Sequence, residues 1–270
     1  MAQAKKNKKS GSQSTTIPKG LRVVVTAGAS GIGRVIAESF ADAGARVFVC
    51  DVQPKALADL KRQRPDIRSV QADVAVESEM AELFKAARKA FGGLDVLVNN
   101  AGIAGPTGGV DEIKAADWDR TVAINLNGQF YCLNHAVPMI KKSRNGAIIG
   151  ISSVAGRLGY AYRTPYSATK WAIVGLTKSL AIELGPSGVR VNCILPGVVR
   201  GERIRRVIAA RAKTLGLAYA VMEKQYLQKV SLRRMVTPQD VASMALFLCS
   251  PAGANISGQA LSVCGNVETL

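Results

Sequence analysis

The sequence is short of the residues that most metal sites need. It contains one histidine, His135, and five widely spaced cysteines, none of them in a Cys-x-x-Cys pair. Structural zinc sites take four Cys and His ligands, so no metal is expected here. The odd number of cysteines and their apolar surroundings, as at residues 47–50, predict reduced core thiols in an intracellular, cytoplasmic protein.

Long apolar runs are also missing. No run reaches the roughly 18 residues that span a bilayer, and no hydrophobic segment follows the N-terminal lysines. We therefore expect neither a membrane span nor a signal peptide.

Acidic residues are scarce, with 19 Asp and Glu against 36 Lys and Arg, which gives a formal net charge of +17. Nucleic acid must be considered, but no helix-turn-helix, zinc-finger or aromatic-and-arginine RNA-binding pattern is present, so it is disfavoured as a partner. A basic solvated surface, or attraction of an anionic substrate or carrier, explains the charge.

The chain divides into an arm and one domain. Residues 1–17 are mostly Lys, Ser, Gln and Gly and predict a disordered basic arm, because they have little apolar surface to bury. Residues 18–270 are long enough for a single well-buried domain.

Apolar β-type runs alternate with helical patterns along this domain. The runs lie at 22–26, 46–51, 67–72, 94–98, 147–151, 189–195 and 260–263. The helical patterns lie at 33–43, 54–63, 77–91, 117–142, 166–184 and 238–250. This alternation predicts an α/β fold, a Rossmann-like doubly wound parallel sheet of about seven strands with helices on both faces. Residues 198–230 have a helical pattern without a strand and predict a substrate lid.

A glycine-rich turn with Gly28, Gly31 and Gly33 joins the first strand to the first helix. Backbone N–H groups and the helix dipole at such a turn hold a pyrophosphate. Asp51 ends the second strand, 18 residues after Gly33, where a carboxylate accepts hydrogen bonds from ribose hydroxyls and repels a 2′-phosphate. The alternative for Asp51 is a helix-capping acid before Pro54. The pattern predicts a nicotinamide dinucleotide cofactor and favours NAD over NADP.

Tyr166 and Lys170 are four residues apart at the start of a helix, so their side chains share one face. A phenol has a pKa near 10, and a neighbouring ammonium group favours the phenolate. Ser153 ends the fifth predicted strand, 13 residues before Tyr166. Ser152 is its alternative, since successive strand side chains point to opposite faces.

These motifs, in this order, resemble the short-chain dehydrogenase/reductase family over residues 21–263. One departure is Ala27, which stands where the family has its first glycine. The resemblance implies that Tyr166 exchanges a proton with the substrate, that Ser153 orients the substrate oxygen, and that Lys170 also binds the nicotinamide ribose. It further implies that Asn125 supports a water-linked proton relay, with Asn127 as the nearby alternative.

The resemblance also implies cofactor contacts elsewhere and a homotetramer. Val199 would act through its backbone, because the threonine usual in this region is absent. The implied cofactor contacts beyond those above are Ser30, Ile32, Asp73, Val74, Asn100, Ala101, Gly102, Pro196, Gly197 and Val199.

Basic residues concentrate in the predicted lid and beside the candidate catalytic residues. The predicted function is interconversion of a secondary alcohol and a ketone, on a small polar or anionic substrate such as a sugar acid or hydroxy acid. The alternative for the arginines is a solvated helix face. Two other functions stay open: a 3-oxoacyl-thioester reductase that acts on an acyl-carrier-protein or CoA substrate, and a non-catalytic protein that binds a cofactor or nucleic acid. The basic residues are Arg157, Arg163, Arg200, Arg203, Arg205, Arg206, Arg211 and Lys213.

Overall fold

The computed structural model describes residues 13–267, apart from the side chain at position 214, and contains one parallel sheet. The strands are β1 (Arg22–Thr26), β2 (Arg46–Asp51), β3 (Arg68–Gln71), β4 (Val96–Asn99), β5 (Ala147–Ile151), β6 (Arg190–Pro196) and β7 (Ala260–Val263). Their spatial order is β3-β2-β1-β4-β5-β6-β7. Because the order reverses between β1 and β4, a ligand crevice is expected at the carboxyl ends of these two strands.

Helices cover both faces of the sheet. They are α1 (Gly31–Asp42), α2 (Pro54–Gln63), α3 (Glu77–Phe91), α4 (Ala115–Val122), α5 (Gly128–Ile140), α6 (Thr164–Leu184), α7 (Glu202–Thr214), α8 (Tyr219–Gln228) and α9 (Pro238–Cys249). Helices α1, α2 and α9 pack on one face, whereas α3, α5 and α6 pack on the other. The predicted doubly wound α/β fold is confirmed.

The central strands are mostly apolar, and not only at alternate positions, because both of their faces are covered. Val23 and Val25 of β1 enter one core, while Val24 between them enters the other, and all three are fully buried. This arrangement explains why the strands lack the alternation of polar and apolar residues seen in half-exposed sheets. It also fixes the strand ends rigidly in place.

The helix predicted over 117–142 is not continuous. A π-helical turn, Ala123–Asn127, separates α4 from α5. At this turn the Asn125 side chain forms two hydrogen bonds with the backbone of Ile103, which lies 22 residues earlier. Such a bulge inserts one residue into a helix and is frequent at functional sites.

The predicted arm ends earlier than residue 17. Residues 1–12 of the arm lie outside the described residues. Ile17 is only 3% exposed and belongs to the core, and the Ser14 carbonyl accepts a hydrogen bond of 3.0 Å from the Ala252 amide. The packed domain therefore begins before the predicted boundary at residue 18.

The predicted lid region contains α7 and α8. Ile208 and Ala212 of α7 pack against Met222 of α8, and all three are buried. Leu215, which follows α7, is 55% exposed. The two helices form a small hydrophobic unit of their own above the sheet.

The five cysteines are all buried and free, as predicted. Within residues 13–267, no three His, Cys, Asp or Glu side chains are grouped as metal ligands would be. In the same range, none of the helices combines the length and the apolarity that crossing a membrane requires.

Candidate active site

The glycine-rich turn presses closely on its neighbours. A β-carbon at Gly33 would overlap the Ala27 carbonyl oxygen and Nδ2 of Asn100. A β-carbon at Gly28 would lie 2.7 Å from Cβ of Val49 on β2. Side chains at these two positions would therefore displace the turn from the sheet.

The start of α1 leaves its backbone donors open. Ser30 is the N-cap residue, but its side chain makes no capping hydrogen bond, and the first turn of the helix has no acidic residue. The first N–H groups of a helix need acceptors, and a phosphate supplies them. The turn and the helix start therefore fit the pyrophosphate of a dinucleotide.

Ala27 adopts a left-handed backbone conformation, with φ of 49°. A residue with a β-carbon pays about 1–2 kcal/mol in this region, which explains why glycine is usual at this place in the family. The carbonyls of Thr26 and Ala27 accept hydrogen bonds from Nδ2 of Asn100, at 2.9 and 3.2 Å. The Asn100 side chain thus holds Ala27 in its strained conformation.

Thr26 ties the same turn to the segment after β4. Its Oγ1 accepts hydrogen bonds from the amides of Asn100 and Ala101, at 3.0 and 2.9 Å. Thr26 was not predicted as a functional residue. The sequence feature that identifies it is a hydroxyl side chain at the carboxyl end of the strand that leads into the glycine-rich turn.

Asp51 lies at the end of β2 and is 3% exposed. One carboxylate oxygen accepts a hydrogen bond from the Ala29 amide and the other from the Gln53 amide, both at 3.1 Å. Since a carboxylate accepts about four hydrogen bonds, each oxygen retains room for a ribose hydroxyl. Asp51 therefore stabilises the chain before α2 and also fits the predicted ribose contact.

The remaining candidate cofactor residues follow β3 and β6. The Asp73 carboxylate accepts a hydrogen bond of 2.9 Å from the Ala75 amide. Val74 is buried. A β-carbon at Gly197 would lie 2.7 Å from Cβ of Cys264, so this turn is closely packed too. Pro196 is the last residue of β6.

Val199 has free backbone groups on one side. It pairs with Val236, but the two hydrogen bonds of this bridge use the Val198 carbonyl and the Arg200 amide. The amide and carbonyl of Val199 point away from the bridge, because neighbouring peptide groups alternate in an extended chain. A carboxamide contact through this backbone is geometrically open.

Lys170 is 3% exposed, and its Nζ donates a hydrogen bond of 2.9 Å to the Ile151 carbonyl. Its Nζ lies 5.6 Å from the centroid of the Tyr166 ring. Burial lowers the pKa of Lys170 to about 8. Burial alone would raise the pKa of Tyr166, but the charges of Lys170 and Arg203, with a hydrogen bond from Ser153, lower it overall.

The two adjacent serines have different partners. Ser152 is buried and its hydroxyl donates to the Lys170 carbonyl at 2.7 Å. Ser153 hydrogen-bonds with Tyr166 and accepts the Ala155 amide at 3.2 Å. Ser153 is therefore the serine that faces the tyrosine, and Ser152 fixes the helix that carries the lysine.

Asn125 is fully buried, beside Lys170. A β-carbon at Gly102 would lie 3.1 Å from Oδ1 of Asn125 and 3.4 Å from Nζ of Lys170, so both groups border the same glycine. The Asn125 amide bonds with Ile103 and also donates to Oγ1 of Thr169 at 3.1 Å. Asn125 thereby holds the segment after β4 against α6, whereas the alternative, Asn127, is exposed.

Arg163 lies beside the candidate catalytic tyrosine and is only 5% exposed. Its guanidinium carbon is 5.3 Å from the centroid of the Tyr166 ring and 5.4 Å from that of Tyr160. Nη2 donates to the Ala104 carbonyl at 2.7 Å, while Nε is buried without a partner. Among the described residues, no carboxylate forms an ion pair with this guanidinium.

Arg203 reaches the site from α7. Its Nη2 donates to the Gly102 carbonyl at 3.2 Å, and its charge lowers the pKa of both Tyr166 and Lys170. Other basic candidates lie elsewhere: Arg205 and Arg206 are exposed, which agrees with a solvated helix face.

Arg157, another basic candidate, donates to the Ser262 hydroxyl at 2.9 Å. The histidine, His135, pairs with Glu77 at 2.7 Å and stacks on Phe84. None of these contacts involves a candidate catalytic residue.

A family model described as enoyl-(acyl carrier protein) reductase matches residues 26–266 of the chain. The chain is 34% identical over 253 residues to D-beta-hydroxybutyrate dehydrogenase of Rhizobium meliloti, covering 90% of this chain and 96% of that protein. It is 36% identical over 246 residues to galactitol 2-dehydrogenase of Agrobacterium fabrum, covering 90% and 95%. Among solved structures, actinorhodin polyketide ketoreductase with NADPH superimposes with a TM-score of 0.88 at 32% identity, covering 93% and 98%.

Proposed function

Since the chain belongs to the short-chain dehydrogenase/reductase family, we propose that it uses NAD(H) to interconvert a secondary alcohol and a ketone on a small anionic substrate. The observation that carries this proposal is the surroundings of Tyr166. Its phenol meets a serine, a lysine and two guanidinium groups that have no acidic partner among residues 13–267.

Tyr166 transfers the proton. In reduction its hydroxyl donates a proton to the substrate carbonyl oxygen, and in oxidation its phenolate accepts the proton of the alcohol. The hydroxyl of Ser153 hydrogen-bonds with the same substrate oxygen and fixes its position. The lowered pKa of Tyr166 brings the phenolate closer to neutral pH, where a proton acceptor is most effective.

Lys170 and Asn125 support this step. The Lys170 ammonium stabilises the phenolate and also donates to the nicotinamide ribose, while Asn125 orders the segment beside it for a water-linked proton relay. When bound, the nicotinamide supplies the hydride in reduction and accepts it in oxidation. The chain aligns the two reacting carbons and handles the proton.

The preference for NAD rests on Asp51. Its carboxylate lies against the glycine-rich turn, through the Ala29 amide, and would repel the extra phosphate of NADP. The preference does not depend on basic residues at the ends of the other strands. The ketoreductase that superimposes on the chain was solved with NADPH, so the cofactor choice is not a property of the fold.

The anionic substrate is inferred from Arg163, with Arg203 as a second cation. The Arg163 guanidinium is buried without a counter-ion, which is costly because it has lost water without gaining a charge partner, whereas Arg203 is exposed. A substrate carboxylate near Tyr166 would supply that partner, and the buried Nε of Arg163 is a donor that still needs an acceptor. The names of two relatives, a hydroxybutyrate and a galactitol dehydrogenase, agree with a hydroxy acid or sugar-derived alcohol.

A substrate panel tests the proposal. Hydroxy acids, sugar acids and matched neutral alcohols are assayed with NAD and NADP in parallel, with Tyr166→Phe as the catalytic control. We expect turnover with hydroxy or sugar acids and NAD, and a loss of at least about 100-fold in Tyr166→Phe. Equal turnover in this variant would exclude the assigned proton transfer.

The anionic substrate has its own control. Arg163→Gln and Arg203→Gln each remove one charged hydrogen-bond donor, so we expect KM for the acid to rise about 10-fold or more while KM for the neutral alcohol stays unchanged. An equal rise in KM for the acid and for the neutral alcohol would refute recognition of an anionic substrate by these arginines. Preference for an acyl-carrier-protein or CoA thioester in the panel would favour the 3-oxoacyl reductase instead.

We also propose a homotetramer in the cytoplasm. Phe130 of α5 and Trp171 and Ile182 of α6 are 55%, 50% and 81% exposed, an apolar surface that favours association. The free buried cysteines agree with a reducing compartment. Light scattering after size exclusion gives the oligomeric state directly.

A further inference from the structure

A small cavity lies between the lid helices and the loop before α6. Its volume is about 40 Å³, several times the roughly 10–15 Å³ that one water molecule needs in the same measure. Most of its wall is apolar and includes Val198, Met222 and Val267, while its polar groups come from Tyr160, Arg211, Gln225, Tyr226 and Lys229. The space is sufficient for a carboxylate or phosphate group.

Two cations face this cavity. The Arg211 guanidinium lies 5.9 Å from the Tyr226 ring, and burial together with the charge of Arg211 lowers the pKa of Lys229. Neither cation forms an ion pair with any residue of 13–267. Arg211 is half-buried and Lys229 is exposed, so their like charges leave a local repulsion that a bound anion would reduce.

The tyrosine hydroxyls complete a set of donors. The Tyr226 hydroxyl is buried, and its hydrogen-bonding neighbour among the described residues is the Tyr160 hydroxyl. Burial and the neighbouring Tyr226 raise the pKa of Tyr160, so the Tyr160 hydroxyl keeps its proton. A guanidinium, an ammonium and two hydroxyls match the oxygens of an anion.

Arg163 links the cavity to the candidate active site. Its guanidinium carbon is 5.4 Å from the centroid of the Tyr160 ring and 5.3 Å from that of the Tyr166 ring. Because Tyr160 also lines the cavity, Arg163 contacts both the candidate catalytic tyrosine and a wall of the cavity. A substrate with two anionic groups would extend from Tyr166 along Arg163 toward this cavity.

We propose that the cavity formed by Arg211, Lys229, Tyr160 and Tyr226 is a second anion-binding subsite, which takes a carboxylate or phosphate group. The anion is either the far end of a substrate with two anionic groups, which rests on the function proposed above, or a free oxyanion. The two sources share one binding chemistry and are separated by experiment.

The first experiment needs no catalytic activity. Inorganic phosphate is added to the whole protein at constant ionic strength, set with sodium chloride, and the Tm is recorded. A ligand that binds only the folded state raises the Tm by mass action, and we expect a saturable rise of about 2–4 °C. No rise in the wild-type protein would overturn the proposal.

Variants with matched charge locate the effect. Arg211→Gln/Lys229→Gln removes both cavity cations, whereas Arg206→Gln/Lys224→Gln removes two exposed cations from the same pair of helices. We expect the phosphate response to disappear only in the first variant. Tyr226→Phe removes one hydroxyl at nearly constant volume and should weaken the response while the protein stays folded. Equal responses in all variants would show general ion effects and refute the site.

Kinetics then identify the source of the anion. In the cavity variant we expect KM for a hydroxy acid with two anionic groups to rise about 10-fold or more, and KM for a singly charged hydroxy acid to stay unchanged. If KM changes for neither, although the phosphate response is lost, the subsite takes a free oxyanion. An absence of turnover with every alcohol would remove the proposed function but leave the phosphate result standing.

Discussion

Ala27→Gly and Ala29→Gly are the same substitution two residues apart, yet we expect opposite effects on stability. Ala27 has φ of 49° and a half-buried side chain, whereas Ala29 is 1% exposed and is not among the described residues with positive φ. Glycine relieves backbone strain only at the first position. The pair therefore separates the effect of strain from the effect of side-chain burial.

The magnitudes follow from three contributions. At Ala27, relief of the left-handed conformation gains about 1–2 kcal/mol. Against this stand about 0.4–1 kcal/mol for the freer unfolded chain and about 0.4 kcal/mol for half a methyl group. The free energy of unfolding should then rise by about 0.5 kcal/mol. At Ala29 the last two contributions act alone with a full methyl group, so it should fall by about 1.5 kcal/mol.

The assay is thermal and urea unfolding of the wild-type protein and both variants, without cofactor. A difference of about 2 kcal/mol between the variants corresponds to roughly 4–6 °C in Tm for a domain of this size. If Ala27→Gly destabilises the protein as much as Ala29→Gly does, the strain at Ala27 is not real. Ala27→Val is a third point, since a β-branched residue tolerates positive φ even less and should be the least stable at this position.

Three more outcomes are expected. Asp51→Ala should lower the ratio of kcat/KM for NAD to that for NADP by at least about 10-fold, because the repulsion of the 2′-phosphate is lost, and parallel cofactor titrations measure this. Lys170→Met removes the charge that lowers the pKa of Tyr166, so the rise of alcohol oxidation with pH should move to higher pH; an unmoved kcat/KM profile would contradict the assignment. Gly33→Ala forces a methyl group onto the Ala27 carbonyl oxygen and should abolish soluble protein or cofactor binding. Gly31→Ala has open space around it but φ of 56°, so it should lower the free energy of unfolding by only about 1–2 kcal/mol, as unfolding experiments measure.

The fold was predictable because the two patterns that define it, apolar strand runs and helical periodicity, are local in the sequence. Strands β1, β2, β5 and β7 match the predicted bounds at both ends, and the runs that form them are visible without any knowledge of their neighbours. The break in the helix after Val122 was not predictable. It depends on the hydrogen bonds of Asn125 with Ile103, a segment that only the folded sheet brings near.

The site was predictable to different depths. Tyr166 and Lys170 are one helical turn apart, so their proximity follows from spacing alone. The family resemblance and the spacing from Tyr166 singled out Ser153, whereas strand alternation alone says only that one of Ser152 and Ser153 faces the site. The unpaired burial of Arg163 could not be read from the chain either. It depends on how the folded elements meet, since no carboxylate among residues 13–267 forms an ion pair with Arg163.

That absence connects the composition to the site. With 36 basic and 19 acidic residues, many cations must lack an acid, and most of them can remain in water at little cost. Arg163 is buried beside Tyr166 and Arg211 borders the cavity at the lid, and neither forms an ion pair with an acid among residues 13–267. Arg163 has lost hydration that a bound anion would replace, so ligand binding would remove a local instability there. These two cations, and not the whole surplus of positive charge, are the ones that a bound anion would stabilise.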